Sequence, residues 1–161
     1  MVAPGSVDQV MSMLRPHLSR EEREGARRIC KWDYPEEAIR EALVNAVVHR
    51  DYLLSATSIE VALYADRLEI ISPGRPPNGI NPDRMRAGCR AARNQLLKDV
   101  MRDYGYMEHM GMGIPRKIIE PMEEQVGATP ELTVGQEDFS LVPRRSPRHR
   151  DGPEMAKHLQ P

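Results

Sequence analysis

Aromatic residues are scarce in this chain: 161 residues include one tryptophan, one phenylalanine and five tyrosines. A core must then be packed mainly by aliphatic side chains, with ten methionines supplying soft, adaptable volume. Cysteine is nearly absent as well. Cys30 and Cys89 lack CxxC or other metal-ligand spacing, which excludes a disulfide scaffold or a zinc module and fits reduced cytoplasmic thiols. The sequence has no apolar run long enough to span a bilayer and no signal peptide, so a soluble cytoplasmic protein with no membrane partner is expected. An excess of one charge is also missing. The net charge of −1 gives no basic field for nucleic acid, although arginines gather at Arg84, Arg86, Arg90 and Arg93 and again at Arg144, Arg145, Arg148 and Arg150. Neither GxxxxGK[ST] nor GxGxxG occurs, so any nucleotide site must be of another design.

What is present is concentrated in residues 34–52. Pro35 suits the first position of a helix, where a missing N–H costs nothing. Ile39, Leu43, Ala46 and Val47 recur at the spacing of a buried stripe. Glu41, Asn45 and His49 fall four residues apart and form a polar row on a second face. One reading makes that row a solvated face with weak pairing to Arg40 and Arg50. A transition-metal site is disfavoured, because Asn is a poor ligand and no second His or Cys is near. Against the solvated face stand Val44, Val47 and Val48: a helix this apolar is covered on most sides, so its carboxylate and amide should look into a cavity.

The flanks predict three regions. Residues 1–31 form an N-terminal arm or linker, with a short helix over 7–14 capped by Ser6 and closed by Pro16, then a charged exposed helix or arm over 19–30. Residues 32–142 form the domain. Residues 143–161, with four prolines and almost no apolar anchor, form a disordered tail. Within the domain, alternation predicts a hairpin of strands 57–64 and 67–72, then an irregular loop from Ser72 to Gly79. A helical turn follows over 83–87. Next comes a helix from Asn94 as cap to Gly105 as stop, with Leu96, Leu97, Val100 and Met101 inward. A glycine-spaced loop at 110–115 leads into a helix over 115–126 that Pro121 should kink or split and Gly127 should end. Strands 132–134 and 139–142 give a second hairpin. Antiparallel hairpins and amphipathic helices predict an α+β two-layer sandwich, a mixed or antiparallel sheet of about four strands with helices on one face.

Gly111-x-Gly113 ahead of a helix suits a phosphate cradle, since bare backbone N–H groups approach a ligand at a helix N-terminus; a simple turn explains the spacing equally well. The run over 34–52, then Ile70-Ile71-Ser72-Pro73-Gly74, Arg93-Asn94, Gly105-Tyr106-Met107-Glu108 and Gly111-Met112-Gly113-Ile114 resembles, in order, the C-terminal domain of RecG-related proteins. These are described as ATP-dependent DNA helicases or transcriptional regulators. That domain is similar to the GHKL ATPase module of gyrase, histidine kinases and MutL. The resemblance implies that Asn45 holds Mg²⁺ through the phosphates of ATP and that Glu41 activates water, with His49 continuing the row. It places a first glycine box at Ser72 to Pro76, where Gly74 matches but Ser72 replaces an adenine-reading Asp and Pro76 a glycine. It places the second box at Gly111 and Gly113, and a lid over 75–110 with Arg90 and Arg93 as phosphate contacts. A neutral Ser hydroxyl is a weaker acceptor than a carboxylate, so adenine affinity and selectivity should both be low.

A helicase motor needs a Walker motif and paired motor domains, and neither fits this chain. The resemblance therefore implies an accessory nucleotide-binding module, at most a weak Mg²⁺-dependent ATPase, that meets DNA only through a schlafen-type domain upstream in relatives. The alternative is a degenerate ATPase fold that serves as an interaction or dimerisation domain. Monomer and homodimer both fit the sequence.

Overall fold

The computed structural model describes residues 5–88, 92–107, 113–144 and 157–159, with Arg20, Glu22, Glu24 and the last three by backbone alone. Helix α1, Gly5–Leu18, buries Val7, Met11, Leu14 and Leu18, one side chain per turn. It runs past Pro16, the expected stop. A proline in the last turn removes little hydrogen bonding, and Leu14 and Leu18, both wholly buried, hold that turn down. The Ser19 hydroxyl donates to the Arg15 carbonyl at 2.7 Å.

The next segment corrects the expectation of a helix or arm. Strands β1, Ser19–Glu24, and β2, Arg27–Trp32, form an antiparallel hairpin with Ser19 opposite Trp32 and Glu24 opposite Arg27. Gly25 at φ 63° takes the left-handed conformation that a two-residue loop demands. With charges on both faces the period-two signal is invisible in sequence.

Helix α2, Glu36–His49, opens one residue past Pro35, its expected first position. The Pro35 carbonyl accepts the N–H groups of Ala38 and Ile39 at 3.1 and 3.2 Å. Ala38, Ile39, Ala42, Leu43, Val44, Ala46, Val47 and Val48 are all buried, because α1 covers one side of the helix and the sheet another. Strands β3, Glu60–Leu63, and β4, Leu68–Pro73, make the first predicted hairpin, with Leu63 opposite Leu68. After it come α3, Pro82–Arg86, capped by Asn81, and α4, Gln95–Asp103, closed by Gly105 at φ 78°. Leu96, expected inward, is exposed, whereas Met101 is buried. A π-helical segment, Gly113–Ile119, runs directly into α5, Glu120–Val126. The division falls beside Pro121, as its missing N–H requires, and Gly127 at φ 72° caps the end.

Strands β5, Glu131–Val134, and β6, Asp138–Val142, form the second hairpin, and β6 pairs with β4. A short strand β7, Lys157–Leu159, pairs with β3. Among the described residues the order is β5-β6-β4-β3-β7, every neighbour antiparallel. The tail expected to be disordered thus supplies an edge strand at 157–159, and Pro143 is buried with its carbonyl accepting Leu68 N–H. Val61, Leu68, Ile70, Leu132 and Leu141 from the sheet meet the buried faces of α1, α2 and α5 in one core. This is the α+β two-layer architecture with helices against an antiparallel sheet. Among the described residues no helix is long and apolar enough to cross a membrane.

Candidate functional site

The polar row of α2 is not a solvated face. Glu41 is only 6% exposed on a helix otherwise buried by aliphatic side chains. Arg40 and Arg50, its expected partners, turn elsewhere. Arg40 pairs with Asp8 of α1 at 2.6 Å, and Arg50 donates to the carbonyls of Leu54 and Thr57 and stacks over the Tyr52 ring. Asn45 supplies the bonds instead: its Nδ2 donates to the Glu41 carbonyl at 2.8 Å and to Glu41 Oε1 at 2.9 Å. This two-fold tie fixes the amide plane one helical turn from the carboxylate and turns Asn45 Oδ1 away from the acid.

Gly113, the first residue of the π-helical segment, completes the group. A Cβ built on it would lie 2.0 Å from Glu41 Oε1 and 2.9 Å from Glu41 Cδ. Any larger residue there would have to push the carboxylate aside. Three predicted site residues, Glu41, Asn45 and Gly113, are therefore brought together across more than sixty-five residues of sequence. His49, one turn further, is mostly buried, and burial pushes its pKa down to about 4, helped by the positive charges of Lys98 and Arg93. It is a neutral imidazole at physiological pH, facing a positive surround.

The remaining candidates divide. Ser72 is buried, and its hydroxyl donates to the Ala46 carbonyl at 2.8 Å, which ties the end of β4 to α2 beside Asn45. Gly74, at φ 104°, approaches Asp51 rather than the Glu41–Asn45 pair: a Cβ there would fall 2.5 Å from Asp51 Cβ. Arg93, expected on phosphate, pairs with Asp51 at 2.7 Å. Asn94, expected to cap α4 with its side chain, donates instead to the carbonyls of Val48 and Arg50 at the end of α2. Arg90 and Gly111 lie outside the described residues. Sequence reasoning missed Asp51; its place two residues past His49 in a polar turn is the one available signal.

Among the described residues no cluster of three His, Cys, Asp or Glu could hold a metal on its own. An amide oxygen at Asn45 with a carboxylate nearby suits a cation that keeps its waters and is held mainly by phosphate oxygens.

Fold and site together define a class: an α+β domain that sets an acid–amide pair of one buried helix against a glycine backbone. A family model described as "Putative ATP-dependent DNA helicase recG C-terminal" matches residues 56–142, more than half of the chain, and the chain belongs to that family. The crystal structure of the DIP2311 protein from Corynebacterium diphtheriae is similar to 87% of this chain, with a TM-score of 0.73 and 25% identity. The match covers 29% of that protein, so the chain spans less than a third of its length. No curated protein matches the chain. The polar row lies upstream of the family match, so its assignment rests on the geometry above.

Proposed function

We propose that this chain is the nucleotide-binding module of a larger RecG-related protein and that it takes Mg²⁺–ATP between the polar row of α2 and the segment opened by Gly113. The observation that carries the reading is the Glu41 carboxylate, buried on an apolar helix, fixed by Asn45 and lying against the Gly113 backbone. A carboxylate withdrawn from water must be held by its bonds, and carboxylates held in this way gather at functional sites. Asn45 Oδ1 is the oxygen offered to Mg²⁺, and Mg²⁺ supplies charge neutralisation of the phosphates when bound. Backbone N–H groups near Gly113 offer donors to phosphate oxygens, and Glu41 is the acceptor for a proton from attacking water. Ser72 spends its hydroxyl proton on Ala46, so it offers a purine only a neutral lone pair. Binding is therefore weak, discriminates little between ATP and GTP, and supports at most slow hydrolysis. Any work on DNA or transcription belongs to the larger protein.

A second reading, an interaction domain with a disused pocket, is favoured by how closely the Gly113 backbone packs on Glu41. Titration of the protein with millimolar ATP and Mg²⁺, followed by amide NMR, separates the two. Nucleotide binding predicts shifts at Asn45 and Gly113 that vanish in a folded Asn45→Ala variant. Unperturbed signals at both residues would establish the interaction domain.

A further inference from the structure

Beyond the Glu41–Asn45 pair, a separate set of bonds joins three remote stretches of chain at the C-terminal end of α2. Arg93 Nη1 reaches Asp51 Oδ2 at 2.7 Å, and its Nη2 donates to the Arg75 carbonyl at 2.5 Å. The adjacent Asn94 donates through Nδ2 to the carbonyls of Val48 and Arg50, both at 2.8 Å, and so occupies two of the carbonyls that the end of α2 leaves open. Asp51 gives its own N–H to the Pro73 carbonyl at 2.7 Å and takes the Leu53 N–H on Oδ1 at 3.0 Å. Gly74 at φ 104° leaves the space into which Asp51 fits. The ion pair is largely screened, with the Asp51 and Arg93 side chains 19% and 28% exposed. Arg93 Nε is buried and finds no acceptor among the described residues. Two of its five N–H donors are thus committed, one to the Asp51 carboxylate and one to the Arg75 carbonyl, so the side chain is already fixed in place without a ligand.

We infer that Asp51 and Arg93 form a positioning clasp that holds the Ser72–Gly74–Arg75 loop, the end of α2 and the start of α4 as one unit. Arg93 is then not a phosphate contact. In the nucleotide reading, on which this clause rests, the clasp fixes the side of the site formed by Ser72. A charge pair that is mostly withdrawn from water and supported by the two Asn94 bonds is suited to hold segments that share no strand or helix. Its loss should be felt at all three places at once and little elsewhere.

The test uses the full chain and the variants Asp51→Asn, Arg93→Gln and both combined. Native-state amide exchange is expected to quicken about tenfold in each single variant at the bonded amides of Gly74, residue 51 and Lys98 together, one in each of the three segments, while the β5–β6 hairpin stays unchanged. The double variant should exchange no faster than the singles, because the two residues act through one bond. Quickening confined to one segment, spread over the whole domain, or additive in the double variant would overturn the clasp. A second arm compares binding of Mg²⁺–ATP and adenosine. Arg93→Gln should weaken both by the same factor; a loss confined to ATP would make Arg93 a phosphate ligand and also overturn the inference. If the unmodified chain binds neither, the nucleotide reading fails and amide exchange alone decides the clasp.

Discussion

Glu41 and Leu43 stand two residues apart on α2, both nearly sealed from solvent, yet changing them should have unequal consequences for stability. Leu43→Ala removes packed methyl groups from the core and should destabilise the domain by about 2–5 kcal/mol. Glu41→Gln keeps the shape and an oxygen for Asn45, and should change stability by no more than about 1 kcal/mol. Denaturant unfolding of the two variants checks this; equal losses would make the polar row a structural feature and not a binding one. His49 gives a pH signature. Its folded pKa of about 4 lies below the ordinary 6.5, so between those values the unfolded chain binds the additional proton. Stability should then fall as pH drops through that window, on the order of 1 kcal/mol per pH unit, and be restored as pH rises. Unfolding midpoints measured from about pH 7 to about pH 4.5 should show the slope in the natural chain and a flatter one in His49→Gln. Identical slopes would place His49 in water.

At the scale of elements, what the sequence made legible follows from what local pattern encodes. The alternation of β4, with Leu68 and Ile70 inward, was readable because one buried face imposes a period, and α2 was readable because its apolar residues are dense enough to be covered on several sides. The β1–β2 hairpin was not, since an exposed ribbon of Arg and Glu has no apolar period to read. Leu96 misled for the converse reason: α4 carries a second apolar row, and which row faces inward is settled by tertiary contacts that place Met101 inside. In the site, the four-residue spacing of Glu41, Asn45 and His49 was local and therefore visible. The Asp51–Arg93 pair spans 42 residues and was not. Gly113 illustrates the boundary between the two. Its spacing from Gly111 suggested a turn or a cradle, but its need to be glycine comes from Glu41, a residue of another element. Gly113→Ala should force the carboxylate aside and destabilise the fold by about 1–3 kcal/mol, with Asn45 side-chain amide signals displaced in NMR spectra. A variant that keeps native stability and native Asn45 signals would mean that the carboxylate is loosely held.

For the whole molecule, the question is where the folding unit begins. The family match starts at residue 56 and the sequence suggested a boundary at 32, yet the core runs from Val7 to Leu141. Helix α1 contributes Val7, Met11, Leu14 and Leu18 to it, each at most 4% exposed. Polar ties reinforce the packing: Asp8 accepts from Arg40 of α2 and from the Tyr106 hydroxyl beyond α4, and Arg15 pairs with Glu36 while lying 5.6 Å from the Trp32 ring. These exposed pairs are worth little individually. The four buried aliphatic side chains are worth roughly 1.5–3 kcal/mol each, which together approaches the entire net stability of an ordinary domain, about 5–15 kcal/mol. Removing residues 1–18 also strips a packed neighbour from α2, the helix that carries Glu41 and Asn45. The shortened chain should therefore lose its cooperative unfolding transition by circular dichroism and expose hydrophobic surface to dye, rather than lose a few degrees of melting temperature. A sharp transition near that of the full chain would make α1 an appendage and return the boundary to residue 32.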